Sequence, residues 1–326
     1  MAGEVMLKIT AQSIFDELTR RGIDVSIIHV TKAPVLAFEY NGELRKIIGA
    51  NPDASSAAAS SIAQNKQLTY EFASRYSDIP TPKSTIYDDL EGAIEFLKTS
   101  EHIVVKPTDG SHGNGVTTNI TQIDMLEPAI KEALSYSESK KILLQEFIQG
   151  EDIRVLVIGG EYVCAVRRTP ASVIGDGERT VMELMIQENA DNPDRGSIPY
   201  TEKLNKIDIE AAKRYLSQDE LAAIHDSGKV VKVVGTANIG TGGRAEECGD
   251  KVPEKMIQNA IAISEIAGTF ICGVDFMYDE EREKWYLIEI NASPSFGLHM
   301  TPSSGKPMKD LPTVYVDKLL AEYSRV

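Results

Sequence analysis

The sequence predicts an α+β protein built from α/β subdomains. Apolar runs of β type occur as hairpins, one around Asn41-Gly42 and one at residues 271–290 around a charged tip. Segments whose apolar residues recur at helical spacing lie between these hairpins. With 326 residues, the chain is long enough to form two or three subdomains.

Composition narrows the class of protein. The net charge of −15 argues against nucleic acid or an anionic membrane as a partner. The three cysteines show no CxxC spacing, which suits a reducing cytoplasm and no structural zinc. The first ten residues lack the apolar core of a signal peptide, and no apolar run approaches the ~20 residues of a membrane helix. We therefore expect a soluble cytoplasmic protein, and we expect it to be a homo-oligomer, either a dimer or a tetramer.

The first 63 residues are predicted to form a reduced α/β region. A helix at residues 12–21 precedes a strand at Ile23–His29. Strands at Pro34–Tyr40 and Glu43–Ile48 flank Asn41-Gly42, which is the strongest short signal for a hairpin. This region is too small for a complete nucleotide-binding domain.

Residues 64–148 are predicted to form a second, small subdomain. A helix at Gln67–Tyr76 begins next to Lys66, where the helix dipole disfavours a cation unless an anion is near. A solvated lysine is the alternative interpretation. Asp88 is predicted to cap the following helix.

A glycine-rich loop follows the strand that ends at Lys106. Gly110, Gly113 and Gly115 allow backbone N–H groups to close around phosphate oxygens, while the lysine supplies a point charge. The loop matches neither the P-loop nor the Rossmann glycine pattern. A plain hairpin turn remains the alternative.

Residues 149–326 are predicted to form the third and largest part. Arg154 and Arg168 lie on the two strands of a hairpin turned by Gly159-Gly160, where they form either an anion-binding pair or two exposed strand ends. Capping boxes begin helices after Thr180 and Ser217, and residues 187–203 are polar enough for a surface excursion or lid.

A second glycine-rich turn at residues 236–244 carries Asn238 and Arg244. Such a turn binds a substrate carboxylate or a developing oxyanion, unless it is only a wide connection. The helix Glu254–Ala267, closed by Gly268, leads into the hairpin at residues 271–290.

Three oxygen ligands stand on that hairpin. Glu289 and Asn291 are two residues apart and therefore point to one face of their strand, and Asp275 lies on the partner strand. Carboxylate and amide oxygens form a hard-cation site suited to Mg²⁺. The alternative is an amphipathic hairpin with its polar face in water.

Several stretches together resemble the ATP-grasp superfamily. They include AQNKQLT around Lys66, VVKPTDGSHGNGV around Lys106, LLQEFIQGEDIRVLVIGGEYVCAVRRTPA, NIGTGGRA and GVDFMY…LIEINASPSFGLHMTP. The resemblance is greatest to the ATP-grasp module of cyanophycin synthetase, and next to that of bifunctional glutathione synthetase. It implies an ATP-grasp fold with a reduced N-terminal region, a small lid subdomain at 64–148 and a catalytic subdomain at 149–326.

The resemblance also implies roles for individual residues. The residues matched to ATP binding are Lys66, Lys106, Gly110, Ser111, His112, Gly113, Gly115, Val116, Gln145, Glu146, Phe147, Ile148 and Asp152. Within that set, Gln145–Ile148 match the adenine hinge, and Asp152 matches the ribose-binding acid. Asp275, Glu289 and Asn291 match the ligands of two Mg²⁺ ions, with Mn²⁺ as a possible substitute. Arg168, Arg244 and Asn238 are assigned to catalysis, the two arginines by steadying the acyl phosphate and the tetrahedral intermediate.

We therefore expect a stand-alone, ADP-forming carboxylate–amine ligase that joins amino acids or extends a peptide through an acyl phosphate. An ATP-grasp kinase that phosphorylates a hydroxyl is one alternative. A catalytically silent nucleotide-binding module is the other, and the intact charged residues argue against it. Where the family places an arginine in the first glycine loop and a serine at position 240, this sequence has Asn114 and Gly240.

Overall fold

The computed structural model describes residues 7–28, 34–110, 113–193, 195–196 and 204–325. These residues form antiparallel sheets with helices packed against them, which confirms the predicted α+β class. Within these ranges, the helices are all too short or too polar to cross a membrane.

The N-terminal region is a helix beside a four-stranded antiparallel sheet. The predicted hairpin is confirmed, because Asn41 and Gly42 have φ values of 52° and 78°, as a turn with two left-handed residues requires. The predicted strand at Ile23–His29 starts two residues later, and His29 lies outside the described residues. The elements are α1 (Ile9–Arg20), β1 (Val25–Ile28), β2 (Val35–Tyr40), β3 (Glu43–Ile48), β4 (Asn51–Pro52) and α2 (Ala59–Gln64).

The predicted small subdomain contains a four-stranded antiparallel sheet in the order β5-β8-β6-β7 with α4 and α5 packed on it, whereas α3 packs with α9 and β17. The elements of residues 64–148 are α3 (Lys66–Tyr76), β5 (Ser84–Ile86), α4 (Leu90–Ser100), β6 (Ile103–Pro107), β7 (Thr117–Ile120), α5 (Leu126–Tyr136) and β8 (Ile142–Glu146). The cap of α4 is Asp89 rather than the predicted Asp88, since the Asp89 carboxylate accepts a hydrogen bond from the backbone N–H of Gly92. Helix α5 follows a 3₁₀ turn, and Pro128 lies in its first turn, where proline is tolerated.

The large subdomain is organised around a five-stranded antiparallel sheet in the order β15-β10-β9-β16-β17. Its elements are β9 (Glu151–Ile158), β10 (Glu161–Thr169), β11 (Ser172–Ile174), α6 (Val181–Asp191), β12 (Arg195–Gly196), β13 (Leu204–Asn205), α7 (Ile209–Tyr215), α8 (Gln218–Ala222), β14 (Val230–Lys232), β15 (Arg244–Glu247), α9 (Glu254–Ala267), β16 (Ile271–Asp279), β17 (Lys284–Asn291), α10 (Gly297–Met300) and α11 (Leu311–Tyr323).

The two faces of this central sheet differ. On one face Val155, Val274 and Phe276 are buried against α9. On the other face an apolar end around Leu156 packs against the N-terminal region, and the remainder carries charged side chains. We call this second face the charged face.

Residues 171–234 form a small unit inserted between β10 and β15, with a hydrophobic core of its own. Both predicted capping boxes are confirmed, at Thr180 with Glu183 and at Ser217 with Glu220. The predicted excursion at 187–203 is described only in part, and its described residues include the end of α6 and β12.

Hydrogen bonds to the backbone of β17 attach residues 64–148 to the central sheet. The Tyr70 hydroxyl donates to the carbonyl of Ile288 at 2.7 Å, and the N–H of Leu287 donates to the carbonyl of Pro80 at 2.8 Å. Where the chain passes from β8 to β9, a Cβ on Gly150 would lie 2.6 Å from the carbonyl oxygen of Tyr278. The absence of a side chain at Gly150 therefore allows the hinge to lie directly on β16.

Candidate active site

The sheet register collects charged residues in adjacent rows of the charged face. In one row Arg154 of β9 is paired with Asp275 of β16, which is paired with Glu289 of β17. In the next row Asp152 of β9 is paired with Arg168 of β10. Directly paired residues of antiparallel strands share a face, so these five side chains form one continuous charged surface.

Asp275 is buried at the centre of this surface. The Arg154 guanidinium holds it in a bidentate pair, with Nε and Nη2 each 2.6 Å from a carboxylate oxygen, and Arg168 Nη2 donates to the same carboxylate at 2.8 Å. Burial opposes the charged form, but the two guanidiniums outweigh it and lower the pKa of Asp275 to about 2. Asp275 is therefore ionised at neutral pH.

The pKa of Asp152 is shifted in the opposite direction from that of Asp275. Its carboxylate accepts a hydrogen bond from Arg168 Nε at 2.8 Å. Burial, together with the negative charge of Asp275, raises the pKa of Asp152 to about 6 against the attraction of Arg168. The proposed role of Asp152 in binding ribose stays a prediction, and in this structure its partner is Arg168.

Lys66 connects the small subdomain to the charged face. Its Nζ lies 3.3 Å from a carboxylate oxygen of Glu289 and donates to the carbonyl of Gly110 at 2.8 Å. The anion near this helix start is Glu289, which belongs to a strand more than 200 residues further along the chain.

Lys106 is buried at the end of β6, with its Nζ 5.8 Å from the centre of the Tyr70 ring. The described residues give this ammonium group no hydrogen bond. Burial and the charge of Lys66 lower the pKa of Lys106 to about 7, although Glu289 partly opposes the shift. Lys106 therefore lies at the edge of ionisation at neutral pH.

The predicted adenine hinge lies where the two subdomains join. Gln145 is buried and within 3.4 Å of the Tyr70 hydroxyl. Glu146 and Phe147 bond through their backbone N–H groups to the carbonyls of Lys83 and His102, which fixes the end of β8. Ile148 follows directly and is half-buried.

The first glycine loop connects β6 to β7. Ser111 and His112 lie outside the described residues. Gly113 and Gly115 have φ values of 73° and 68°, a left-handed backbone that favours glycine. A Cβ on Gly113 would come within 2.9 Å of the Thr236 side chain, so this loop lies close to the start of the second glycine turn. Val116 completes the loop before β7.

In the second glycine turn, Asn238 and Arg244 contact residues outside the charged face. The Asn238 side chain accepts from the N–H of Gly240 and caps a 3₁₀ turn. Arg244 is paired in register with Thr169, its side chain is 44% exposed, and its Nη2 lies 3.4 Å from Glu188. Arg168 and Arg244 share no partner among the described residues, so a joint role for them stays a prediction.

The proposed metal ligands are only partly available in this structure. Asp275, Glu289 and Asn291 lie on one face of two paired strands, and their oxygens suit a hard cation. Within the described ranges, no cluster of three or more acidic, histidine or cysteine side chains is close enough to hold a metal. Asp275 is occupied by guanidiniums, and Asn291 Oδ1 accepts from the N–H of Ser293. The Glu289 side chain is 36% exposed, against 3% for that of Asp275.

Two residues that were not among the predicted site residues are part of this site: Arg154 on the charged face and His299 next to it. Arg154, which the sequence only pairs with Arg168, is bound more closely to Asp275 than Arg168 is. Arg154 lies two residues after Asp152, and residues i and i+2 of a strand share a face, so the sequence could have placed Arg154 on the face of Asp152. His299 is buried near both arginines, and its sequence position carried no such signal.

Comparison with known proteins adds a family match and named relatives. A family model described as "Prokaryotic glutathione synthetase, ATP-grasp domain" matches residues 66–188. Cyanophycin synthetase of Trichormus variabilis is 30% identical over 309 residues, which cover 91% of this chain and 33% of the relative. The bifunctional glutathione biosynthesis protein of Clostridium perfringens is 31% identical over 258 residues, which cover 76% of this chain and 33% of the relative. The chain thus spans about a third of the length of these relatives.

A solved structure is also similar. The crystal structure of a bifunctional glutathione synthetase from Pasteurella multocida superposes with a TM-score of 0.65 at 22% identity, covering 98% of this chain and 44% of that one. At this identity the likeness shows a shared fold and nothing about substrates.

Proposed function

We propose, from the premise that this chain belongs to the ATP-grasp superfamily and has its fold, that it is an ATP-dependent, ADP-forming carboxylate–amine ligase. The reaction joins an amino acid or short peptide to an amine through an acyl phosphate. The relatives named above are synthetases of cyanophycin and of glutathione, which supports this reaction type.

The convergence of cations under the glycine loop is the observation that carries the proposal. Lys66 and Lys106 approach from the small subdomain, and Arg154 and Arg168 approach from the central sheet. They face the three carboxylates Asp152, Asp275 and Glu289. Arg154 and Arg168 are permanent cations, and a bound anion favours the charged form of Lys106, so this set of residues suits a triphosphate and a second anion that must approach it.

The first half of the reaction needs charge neutralisation. A substrate carboxylate attacks the γ-phosphate of ATP, its oxygen forms the new O–P bond, and ADP leaves with the electron pair of the broken bond. Both reactants are anions, so their approach is opposed unless cations lie between them. We assign Lys66 and Lys106 to the phosphates, and Arg154 and Arg168 to the carboxylate.

Family members use ATP with a divalent metal, and the donor set of this face fits Mg²⁺. Glu289, Asp275 and Asn291 would hold it, and when bound it supplies Lewis-acid neutralisation of the phosphate oxygens. Two ions are proposed, as the resemblance implies. Asp275 must give up at least one guanidinium contact to serve as a ligand.

The second half of the reaction forms the amide. The amine nitrogen adds to the acyl carbon and the negative charge moves to the acyl oxygen. Collapse of this intermediate then expels phosphate. A guanidinium can donate two parallel hydrogen bonds to such an oxyanion or to the leaving phosphate. Arg168, with Arg244 and Asn238 at the neighbouring strand end, is proposed for this role.

Hydroxylamine distinguishes the ligase from a kinase. We expect ATP, Mg²⁺ and hydroxylamine, incubated with a panel of amino acids and short acidic peptides, to give ADP and a hydroxamate from at least one acid. The hydroxamate forms because hydroxylamine replaces the natural amine in attacking the acyl phosphate. A stable phosphate ester with no hydroxamate from any acid would support the kinase instead, and release of ADP without either product would point to simple hydrolysis.

Nucleotide binding should take up a proton near neutral pH. The pKa of Lys106 is about 7 in the free protein, so the lysine is only partly charged at pH 7 to 8. A bound phosphate favours the ammonium form and raises that pKa, so Lys106 gains a proton on binding. Titration calorimetry with MgADP in two buffers of different ionisation enthalpy should show an uptake that approaches one proton as the pH rises from 7 to 8.

The Lys106→Arg variant is the matched control for this measurement. Arginine keeps the positive charge but does not lose its proton at these pH values, so the uptake should disappear even if binding weakens. Equal uptake in the wild type and the variant would assign the proton to another group. Uptake of zero in the wild type would contradict the assignment of Lys106 to the phosphates.

A further inference from the structure

His299 lies on the charged face without a role in the chemistry described so far. It belongs to the short helix α10, and only 2% of the residue is exposed. The neighbouring Leu298 packs with Val166 and Ala245, and Val166 is paired in register with Arg154. The helix therefore runs over β10 beside the arginine row.

The two ring nitrogens of His299 have different surroundings. Nδ1 lies 3.2 Å from the sulfur of Cys164. Nε2 is buried and, within the described part of the chain, meets no hydrogen-bond partner. The two nitrogens lie on different edges of the ring, so contact with Cys164 turns Nε2 away from that strand position. A buried polar atom without a partner costs free energy, and its presence calls for an explanation.

The contact with Cys164 selects the tautomer. Burial raises the pKa of the Cys164 thiol, so the sulfur keeps its proton and can donate it. Imidazole nitrogen is a far better acceptor than sulfur, so the favoured arrangement is S–H donating to Nδ1. In that tautomer Nε2 carries the ring proton. The orphaned atom is therefore a donor that needs an acceptor.

The charges nearest His299 are those of the active site. Burial, with the neighbouring guanidiniums of Arg154 and Arg168, lowers the pKa of His299 to about 3, so the ring is neutral in the range where enzymes act. Asp275 is also close, and its carboxylate accepts three hydrogen bonds from the two arginines, but within the described part of the chain it is not a partner of Nε2. The described residues therefore supply no acceptor for Nε2–H, and a bound anion can supply one.

We propose that His299 is a substrate-binding residue of this site, whose Nε2–H group donates a hydrogen bond to the carboxylate of the acid substrate beside Arg154 and Arg168. The proposal rests on the proposed ligase function. A neutral donor adds directional binding without adding positive charge to a region that already holds two guanidiniums. It also favours a carboxylate over a neutral amide, because hydrogen bonds to charged acceptors are the stronger ones.

Two substitutions distinguish a role of His299 as a hydrogen-bond donor from a role as a ring that only fills space. Glutamine places an amide N–H near the position of Nε2, whereas asparagine reaches only as far as Nδ1 and leaves the Nε2 position empty. In the hydroxamate assay with the most active acid of the panel, we expect His299→Asn to raise the KM of the acid about 10- to 100-fold. The KM of ATP should change little, and His299→Gln should recover most of the loss.

Nitrogen NMR of histidine-labelled wild-type protein tests the same idea without a substitution. The expected spectrum at pH 7 shows His299 neutral, protonated at Nε2 and not at Nδ1, and its N–H signal should move when that acid is added with MgADP. This measurement also decides the matter if His299→Asn does not fold.

The outcomes are separable. If the wild type forms no hydroxamate with any acid, the proposed function fails and this inference fails with it. If the wild type is active, the inference alone is overturned by any of three results. These are an unchanged KM of the acid in His299→Asn, an equal rise in the KM values of acid and ATP, or a ring protonated at Nδ1.

Discussion

The Arg168→Met variant is expected to lose about 1 to 3 kcal/mol of unfolding free energy at pH 8, because it removes the counter-ion of the partly buried Asp152 and one of the two counter-ions of the buried Asp275. Arg168 donates to Asp152 at 2.8 Å and to Asp275 at 2.8 Å. Asp275 keeps the bidentate pair with Arg154, so most of the loss falls on Asp152. Turnover should fall as well, because the substrate carboxylate loses one of its two guanidiniums.

The loss should shrink as the pH falls. Burial already raises the pKa of Asp152 to about 6, with Arg168 opposing that rise. Without the guanidinium the pKa rises further, so the folded variant binds a proton at a pH where the folded wild type does not. Proton binding by the folded variant stabilises it, and the gap between the two proteins narrows from pH 8 to pH 6. Denaturant unfolding curves at the two pH values measure this.

Arg167→Met is the matched control, because Arg167 is the preceding residue and points to the other face of β10. Its guanidinium lies 2.6 Å from Glu151 and 2.6 Å from Glu246, and all three side chains are about one third exposed. Pairs with this exposure contribute about 0.2 to 1 kcal/mol. Equal losses of unfolding free energy in the two variants would show that water screens the ion pairs of Arg168 as effectively as those of Arg167. The larger effect expected from burial of Arg168 would then be contradicted.

Local signals explain why much of the fold could be predicted from the sequence. The Asn41-Gly42 turn, the capping boxes at Thr180 and Ser217 and the glycine after α9 each depend on a few neighbouring residues. Where two adjacent residues could serve equally, as Asp88 and Asp89 at the start of α4, sequence alone did not choose correctly.

The site was predictable in its residue types but not in its pairings. Alternation along β17 places Glu289 and Asn291 on one face, and this follows from their spacing. Which guanidinium meets Asp275 depends on the register between β9 and β16, whose paired residues Arg154 and Asp275 are 121 positions apart. No local pattern encodes such a register.

Tertiary contacts also separate Arg168 and Arg244, to which the sequence analysis assigned a joint role. Arg244 and Arg168 belong to adjacent strands, but the register pairs Arg168 with Ala245, and Arg244 reaches Glu188 in the inserted unit instead. His299 shows the reverse case. A lone histidine near the C-terminus carries no pattern, and only the packing of α10 against β10 brings it to Cys164.

Glu289→Gln is expected to lower turnover by at least about 100-fold, the scale on which loss of one transition-state-stabilising group is felt. The amide keeps the shape of the side chain but removes the charge that faces Lys66 and the proposed metal. Folding should survive with a loss below about 1 kcal/mol, because the carboxylate is partly exposed and Lys66 keeps its bond to Gly110. Steady-state kinetics and an unfolding curve measure the two quantities.

Glu281→Gln provides the control for charge alone. Glu281 lies at the exposed tip of the same hairpin, so its substitution removes the same charge far from the strand ends that carry the site. We expect its turnover to match the wild type. Near-normal Mg²⁺-dependent turnover in Glu289→Gln would contradict the metal assignment.

The dependence of the Glu289→Gln defect on Mg²⁺ concentration separates two ways in which this carboxylate can act. If Glu289 is a metal ligand, the variant binds Mg²⁺ more weakly, and raising the Mg²⁺ concentration should restore part of the lost turnover. If its main task is to hold Lys66 against the phosphates, as the 3.3 Å contact allows, the half-saturating Mg²⁺ concentration stays as in the wild type. In that case the KM of ATP rises instead. A hard-cation donor set that includes Asp275 and Asn291 on the same face leads us to expect the first result.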